Sequence, residues 1–268
     1  MFAPRNCCNV ASTDSIGCTV ERSGSELAVK ISRSEDLRLD CQHCPVRHRA
    51  ICAASDDEEF DKLNAMKFYK SVPAGQAVAL RGEKLDVVAS IVSGVATLSK
   101  TTVDGRMQIT GMLLPSDFIG RPGRDSCEHD ISAVTDLTLC CFRRRPFEDL
   151  VESASGIRKR LLDIAFDELD AARNWMLLLG CLTAREKIVS FLMLVVRRSA
   201  LPEDADQPVR IDLPLSREAM ASYLGLTIET VSRQMSSLRK DGLIELETAR
   251  RVIIPDTSRL EAELENAE

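Results

Sequence analysis

The stretch Leu215–Leu243, LSREAMASYLGLTIETVSRQMSSLRKDGL, decides the C-terminal part of the fold. It reads as two helices joined by a tight turn at Gly225. Ser216 is positioned to cap the first helix and Thr227 the second, each hydroxyl accepting from a backbone N–H that has no partner within its helix. In the second helix Ile228, Val231, Met235 and Leu238 recur at spacings of three, four and three, so they form one inward face. Glu229, Ser232, Arg233 and Ser236 then project outward near the helix N-terminus, the end that recognition helices present to base edges in the major groove. Arg233 offers a planar donor fork for O6 and N7 of guanine, Glu229 an acceptor for the N4 amino group of cytosine, and Ser232 a hydroxyl for a phosphate or a base. Taken alone, Glu229 and Arg233 read rather as a solvated i,i+4 ion pair worth about 0.2–0.5 kcal/mol. The turn, two caps and buried face in sequence favour DNA reading.

Working outward, Arg239 and Lys240 are placed at the far end of that helix for phosphate contact, and Gly242 ends it. Leu243 to Ile254 reads as strand, turn, strand, a wing with Arg250 and Arg251 at its tip. The segment Asp256–Glu268 is acidic, and residues 257–268 are expected to be a tail. Upstream, Thr183 to Arg198 is helical, followed by a polar break from Pro202 to Pro208, so the DNA-binding domain is expected over 182–256.

Further upstream, Leu162, Ala165, Leu169, Ala172, Met176 and Leu179 repeat at three and four like a heptad seam. An unbroken helix from Gly156 to Gly180 would extend about 37 Å, longer than a small domain needs to cover its own core. A dimerisation helix is expected over 156–181; an amphipathic helix lying on a neighbouring domain is the alternative. Asp167 and Asp170 flank the seam, so repulsion between subunits would keep such a homodimer close to balance.

From Val72 to Leu150 short apolar runs alternate with turn signals such as Pro73-Ala74-Gly75, Ser93-Gly94 and Asp104-Gly105. Asp104-Gly105 reads as a type I′ hairpin turn. The fold class is therefore α+β, with a small antiparallel β-roll. The expected sensor domain spans 37–155, and residues 1–36 lack periodicity and read as a flexible leader.

The chain has 268 residues, 44% of them hydrophobic, enough for two modest cores. Its net charge of -6 gives no whole-chain basic signature, and a DNA-binding face can be local. No apolar run of membrane-spanning length and no secretion signal is seen, so a soluble cytoplasmic protein is expected. In a reducing compartment its ten cysteines are better read as metal ligands or redox groups than as disulfides. Three of them, Cys41, Cys44 and Cys52, stand in CQHCPVRHRAIC. His48 makes this C-x2-C-x3-H-x3-C, which would close a zinc site locally. An iron-sulfur cluster is the equal alternative until more of the chain is read. The chain offers no Gly-rich phosphate loop, no G-x-S-x-G elbow and no H-E-x-x-H helix, so it is not read as an enzyme.

The order of parts resembles the CRP/FNR family of bacterial transcription regulators, from Cys41 to Pro255. Most specific is YLGLTIETVSRQ, Tyr223–Gln234, whose E-x-x-S-R core is similar to the FNR branch's recognition helix and implies a half-site similar to TTGAT on double-stranded DNA. The seven-residue cysteine gap and the extended N-terminus resemble the FnrL/FnrN type. FIGRPGRDSCEH, Phe118–His129, lacks the Gly-Glu pair and following Arg of a phosphate-binding cassette, so no cyclic nucleotide is expected. The resemblance implies a 4Fe-4S cluster held by Cys41, Cys44, Cys52 and a cysteine of the β-roll, from the Cys140-Cys141 pair. Strand alternation sets Cys141 with Leu137 and Leu139 inside the roll, leaving Cys140 to meet an external loop. Cys140 is the expected fourth ligand and Cys141 the alternative. Arg38, Arg47, Arg49 and His48 are available to offset cluster charge. The resemblance implies an oxygen-responsive, anaerobic regulator that binds DNA as a homodimer while its cluster is intact, with RNA polymerase contacted through Asp104–Gln108. A nitric oxide or thiol-redox sensor of the same fold and a zinc-stabilised regulator are the rivals. Cys7, Cys8, Cys18, Cys127 and Cys181 are read as unligated, with Cys127 in an exposed loop, and His43 and His129 as solvated.

Overall fold

The computed structural model describes residues 41–199 and 208–265. The expected leader, with Cys7, Cys8, Cys18 and Arg38, lies outside the described residues, as do most of the Pro202–Pro208 break and residues 266–268. The cysteine segment makes two short 3-10 turns, Cys41–His43 and Ile51–Ala54, followed by α1 (Asp57–Met66), which Asp56 caps by accepting from Glu59 N at 2.8 Å.

Eight strands follow: β1 (Phe68–Val72), β2 (Ala77–Ala79), β3 (Val87–Ser93), β4 (Ala96–Thr101), β5 (Met107–Leu113), β6 (Phe118–Ile119), β7 (Asp130–Ala133) and β8 (Leu137–Arg143). They form two antiparallel sheets ordered β1-β8-β3-β6 and β2-β7-β4-β5. Between the sheets lies a core that includes Ile91, Leu113, Ile131, Leu137, Leu139 and Cys141. Alternation along β8 puts Leu137, Leu139 and Cys141 into this core and turns Cys140 to the outer face. Cys127 also reaches the core and donates to His129 O at 2.9 Å. It is therefore buried rather than in an exposed loop. The β4–β5 turn departs from type I′ as well: Gly105 has φ +85 whereas Asp104 is absent from the residues with positive φ. A longer loop closed by Thr102 N to Arg106 O, with only its last residue left-handed, satisfies the strands' twist with one glycine.

Helices α2 (Arg144–Ser153) and α3 (Ser155–Cys181) lead out of the roll. The first turns of α3 bury Ile157 and pack Leu161 and Ile164 against the roll, while Trp175 and Leu178 pack near its other end against the DNA-binding domain's core. Between and around these anchors Leu162, Phe166, Leu169 and Met176 stand 44–61% exposed, an apolar seam that nothing among the described residues covers. Leu179, by contrast, is half-buried at the turn that Gly225 makes, within 3.3 Å of where a Cβ on that glycine would lie.

A reciprocal cap, Thr183 N to Glu186 Oε2 at 2.7 Å and Glu186 N to Thr183 Oγ1 at 3.4 Å, starts α4 (Ala184–Ser199). The remaining elements are β9 (Val209–Asp212), α5 (Arg217–Leu224), α6 (Ile228–Lys240), β10 (Glu245–Leu246), β11 (Arg251–Ile254) and α7 (Thr257–Glu265). The wing is a three-stranded sheet, β10-β11-β9. Residues from Thr257, read in the sequence as an acidic tail, instead form α7. Its charges are used: Glu263 pairs with Arg185 at 2.6 Å and Glu261 with Arg197 at 2.5 Å, while Leu260 is fully buried. An acidic stretch with one apolar residue per turn folds where a basic helix lies beside it.

The β-roll and the helix-turn-helix touch through β5 and α5. Ile109 N donates to Ser222 Oγ at 3.3 Å, Ser222 Oγ donates to Met107 O at 3.4 Å, and the Gln108 side chain donates to Ser222 O. Of the Asp104–Gln108 stretch expected to meet polymerase, Gln108 is thus engaged inside the protein, and Asp104, Gly105 and Arg106 stay exposed. No helix among the described residues is long and apolar enough to cross a membrane.

Candidate functional site

Antiparallel register builds the floor of the first site. Tyr69 on β1 and Ser90 on β3 both pair with Cys140 on β8, so the three side chains form a row across the outer face of one sheet. The cysteine segment folds over that row. Val46 and Ala50 are buried against Val92, which fixes the segment on the sheet and brings Cys44 and Cys52 against Cys140. Cys41, Cys44, Cys52 and Cys140 line one pocket of about 440 Å³, counted to its open mouth, together with Lys67, Tyr69 and Ser90. Cys141 is not among the lining residues; burial in the roll pushes its thiol up to about 12. His48 is exposed and lies outside the lining, as does His43.

The pocket's electrostatics follow from its walls. Burial first, and then the neighbouring thiols Cys41, Cys141, Cys52 and Cys44, push the Cys140 thiol well above its ordinary range. Burial and Cys44 push Cys52 in the same direction, partly offset by its own backbone hydrogen bond and, less, by Arg47. Burial and crowding therefore penalise the charged forms of Cys52 and Cys140 unless cations enter. Two donors already face the thiols. Lys67 Nζ donates to Cys41 Sγ at 2.7 Å, and the Ser90 hydroxyl is buried with no hydrogen-bond partner among the described residues. A buried donor without an acceptor costs about 1–3 kcal/mol, and an electron-rich sulfur group in the pocket would remove that cost.

Among the described residues no three His, Cys, Asp or Glu side chains converge as ligands of one metal ion. A cubane takes one thiolate at each of its corners, and thiols spread around one pocket suit it. The residues present thus fit an iron-sulfur cluster. Lys67, Tyr69 and Ser90 were missed by sequence reasoning; strand register, invisible in a single sequence, aligns Tyr69 and Ser90 with Cys140, and Lys67 reaches Cys41 from the end of α1.

The second site is α6. Thr227 caps it by accepting from Thr230 N at 3.2 Å, and Gly225, at φ +63, closes α5 before it. Val231, Met235 and Leu238 are buried, as the spacing predicts, whereas Ile228 is 44% exposed because it is the first residue of the helix and reaches past the core. Glu229, Ser232, Arg233 and Ser236 are all exposed on one side. Glu229 is not bonded to Arg233 in the observed ion pairs, and its carboxyl is held below the usual range by backbone N–H groups and Thr227 at the helix N-terminus. In the wing Arg250 stays at the turn, but Arg251 belongs to β11 and is paired with Asp212 at 3.0 Å and Glu247 at 3.6 Å. Arg251 is therefore committed to the wing's own structure, since its partners lie on the adjoining strand and turn.

A reading helix joined to a β-roll through a long, half-bare helix is the architecture of a sensor-coupled transcription regulator. Comparison with known proteins agrees. Residues 186–263 match the Crp-like helix-turn-helix domain and residues 69–154 the cyclic nucleotide-binding domain. The chain is 54% identical to the transcriptional activator protein FnrL of Cereibacter sphaeroides over 222 residues, 82% of this chain and 90% of that one. It is 40% identical to a probable transcriptional activator of Rhizobium leguminosarum bv. viciae, over 86% of this chain and 97% of the other. Among solved structures, FixK2 from Bradyrhizobium japonicum superposes with a TM-score of 0.67 at 30% identity, covering 73% of this chain and 96% of that one. The protein belongs to the CRP/FNR family of DNA-binding transcription regulators.

Proposed function

We propose that this protein is an oxygen-responsive transcriptional activator that holds a 4Fe-4S cluster through Cys41, Cys44, Cys52 and Cys140. It binds TTGAT-type palindromes as a cytoplasmic homodimer, has no enzymatic activity and takes no cyclic nucleotide. The observation that carries this reading is the meeting of Cys140, from the outer face of β8, with the three loop thiols in one pocket. When bound, the cluster supplies an oxygen-labile chemistry that side chains lack. The chain's own residues do the rest. Thiolates of the loop and of β8 tie two separate parts of the sequence together, and Lys67 and Ser90 donate toward the sulfur groups. The exposed Leu162, Phe166, Leu169 and Met176 then pair with the same face of a second copy. Asp170 is half-neutralised by Arg173 at 3.2 Å, leaving Asp167 as the sharper source of repulsion between subunits. Glu229, Ser232 and Arg233 reach base edges in each half-site. The exposed turn Asp104–Arg106 is the proposed polymerase contact. The run Phe118–His129, without a Gly-Glu pair or a following Arg to hold a phosphate, supports the exclusion of a cyclic nucleotide.

Anaerobic purification followed by iron and sulfide analysis, visible absorption and gel shift under argon and after air tests this reading. Four irons per chain and oxygen-sensitive binding to a TTGAT palindrome are expected. Colourless protein carrying one zinc, with equal binding in both atmospheres, would refute it.

A further inference from the structure

The cysteine loop is attached to the start of α3 at three points that neither the ligand set nor the dimer seam explains. Arg160 crosses from α3 to donate from Nε to Ala50 O at 3.3 Å and from its terminal nitrogen to Arg49 O. Glu59 on α1 accepts from Gly156 N at 3.1 Å, closing the otherwise uncapped N-terminus of α3. Gly156 itself lies so near the loop that a Cβ there would collide with the Ala54 carbonyl and come within 2.6 Å of Glu59 Oε2. The two carbonyls held by Arg160 lie between Cys44 and Cys52, and Ala50 O also accepts from Ala53 N in the turn that carries Cys52. Any movement of Cys44 relative to Cys52 must shift those carbonyls. Leu162 and Phe166, the first exposed apolar residues of the seam, follow on α3 within two turns of Arg160.

We infer that Arg160 is a positioning residue that transmits the state of the cysteine loop to the dimerisation helix, through its paired hydrogen bonds to the Arg49 and Ala50 carbonyls. This inference rests on the proposed cluster. The fork matters because one planar guanidinium fixes two carbonyls at once, so loop rotation cannot occur without moving α3 or breaking both bonds. Glu59 and the Gly156–Ala54 contact hold the helix end from which that motion is levered.

The test uses the full chain, as natural protein, Arg160→Ala and Arg160→Lys, each reconstituted anaerobically. Iron per chain and the dimer dissociation constant by sedimentation are measured before and after cluster removal. The natural chain is expected to dimerise about tenfold or more tightly with its cluster, within the usual range of coupling between sites. Arg160→Ala should carry the same iron while its two dissociation constants come within about twofold of each other, and Arg160→Lys should fall between, since one donor head replaces a fork. An Arg160→Ala ratio equal to that of the natural chain overturns the inference and leaves the proposed function standing. A natural chain without iron, or without any change in dimerisation, brings down the proposed function instead. In that case amide hydrogen exchange on the metal-free protein decides Arg160's hold on the loop. Faster exchange at Ala50 and Ala53 in Arg160→Ala supports that hold, and unchanged rates overturn it.

Discussion

Substituting Cys140 and Cys141 by alanine, one at a time, should produce opposite phenotypes although the two residues are neighbours. Cys141 is 1% exposed and packed in the β-roll interior, so Cys141→Ala removes a buried sulfur and leaves a small cavity. Counting the sulfur as about one methylene, with an added cavity cost, gives roughly 1–1.5 kcal/mol of lost stability. For a chain of this size that lowers the melting temperature by about 2–4 °C. Its iron content should be unchanged, because the thiol faces away from the pocket. Cys140→Ala removes a thiol that faces the loop, in surroundings that disfavour its charge. The metal-free variant should lose no more than about 1 kcal/mol, since Cys140 is only partly buried, while the reconstituted one should lack the 4Fe-4S absorption. Urea unfolding of the metal-free proteins and iron analysis of the reconstituted ones give both readings. A Cys140→Ala protein with full iron beside an iron-free Cys141→Ala protein would refute the register argument on which the ligand assignment stands.

Three further outcomes follow from the same structure. Arg233→Ala should weaken binding to a TTGAT palindrome by about 1–3 kcal/mol and relax selection at one base pair, as measured by gel shift with a substituted half-site series; uniform weakening across all sequences would reduce Arg233 to a phosphate contact. Phe166→Glu adds a charge to the exposed seam and should give a monomer by sedimentation even with the cluster present, whereas an unchanged dimer would move the interface elsewhere. Asp117, whose side chain accepts from Leu114 N at 2.8 Å and pairs with Arg198 at 3.3 Å, has its carboxyl raised by burial against the opposing pull of Arg198. A raised carboxyl favours folding while protonated and loses that advantage as pH rises through its folded pKa. Asp117→Asn should therefore gain in stability relative to the natural chain as pH rises above the ordinary carboxylate range, in urea unfolding of the metal-free protein; a gap that narrows with rising pH would contradict the burial argument.

Local rules made much of the molecule legible in one dimension. Ser216 and Thr227 cap because a hydroxyl before a helix reaches the free N–H groups next to it, whatever lies beyond. Val231, Met235 and Leu238 are buried because helical periodicity gives them one face. The alternation that separates Cys140 from Cys141 is equally local, since neighbouring residues on a strand must point to opposite sides. Where reading failed, the deciding partner was distant in sequence. The segment from Thr257 became a helix because Arg185 and Arg197 lie beside it, and Cys127 was drawn into a core assembled from strands before and after it. Ile228 escaped burial because it is the first residue of its helix, ahead of the first buried position, Val231.

By itself the sequence determined the α+β order of parts, the reading helix and the C-x2-C-x7-C spacing of Cys41, Cys44 and Cys52, all of which depend on spacing and periodicity. Tertiary structure alone decided what surrounds those cysteines. Strand register set Tyr69 and Ser90 beside Cys140, Lys67 was brought to Cys41, and Arg160 was joined to a loop more than a hundred residues away. Such contacts depend on how two sheets and a helix pack in three dimensions, and no local pattern in the chain encodes them.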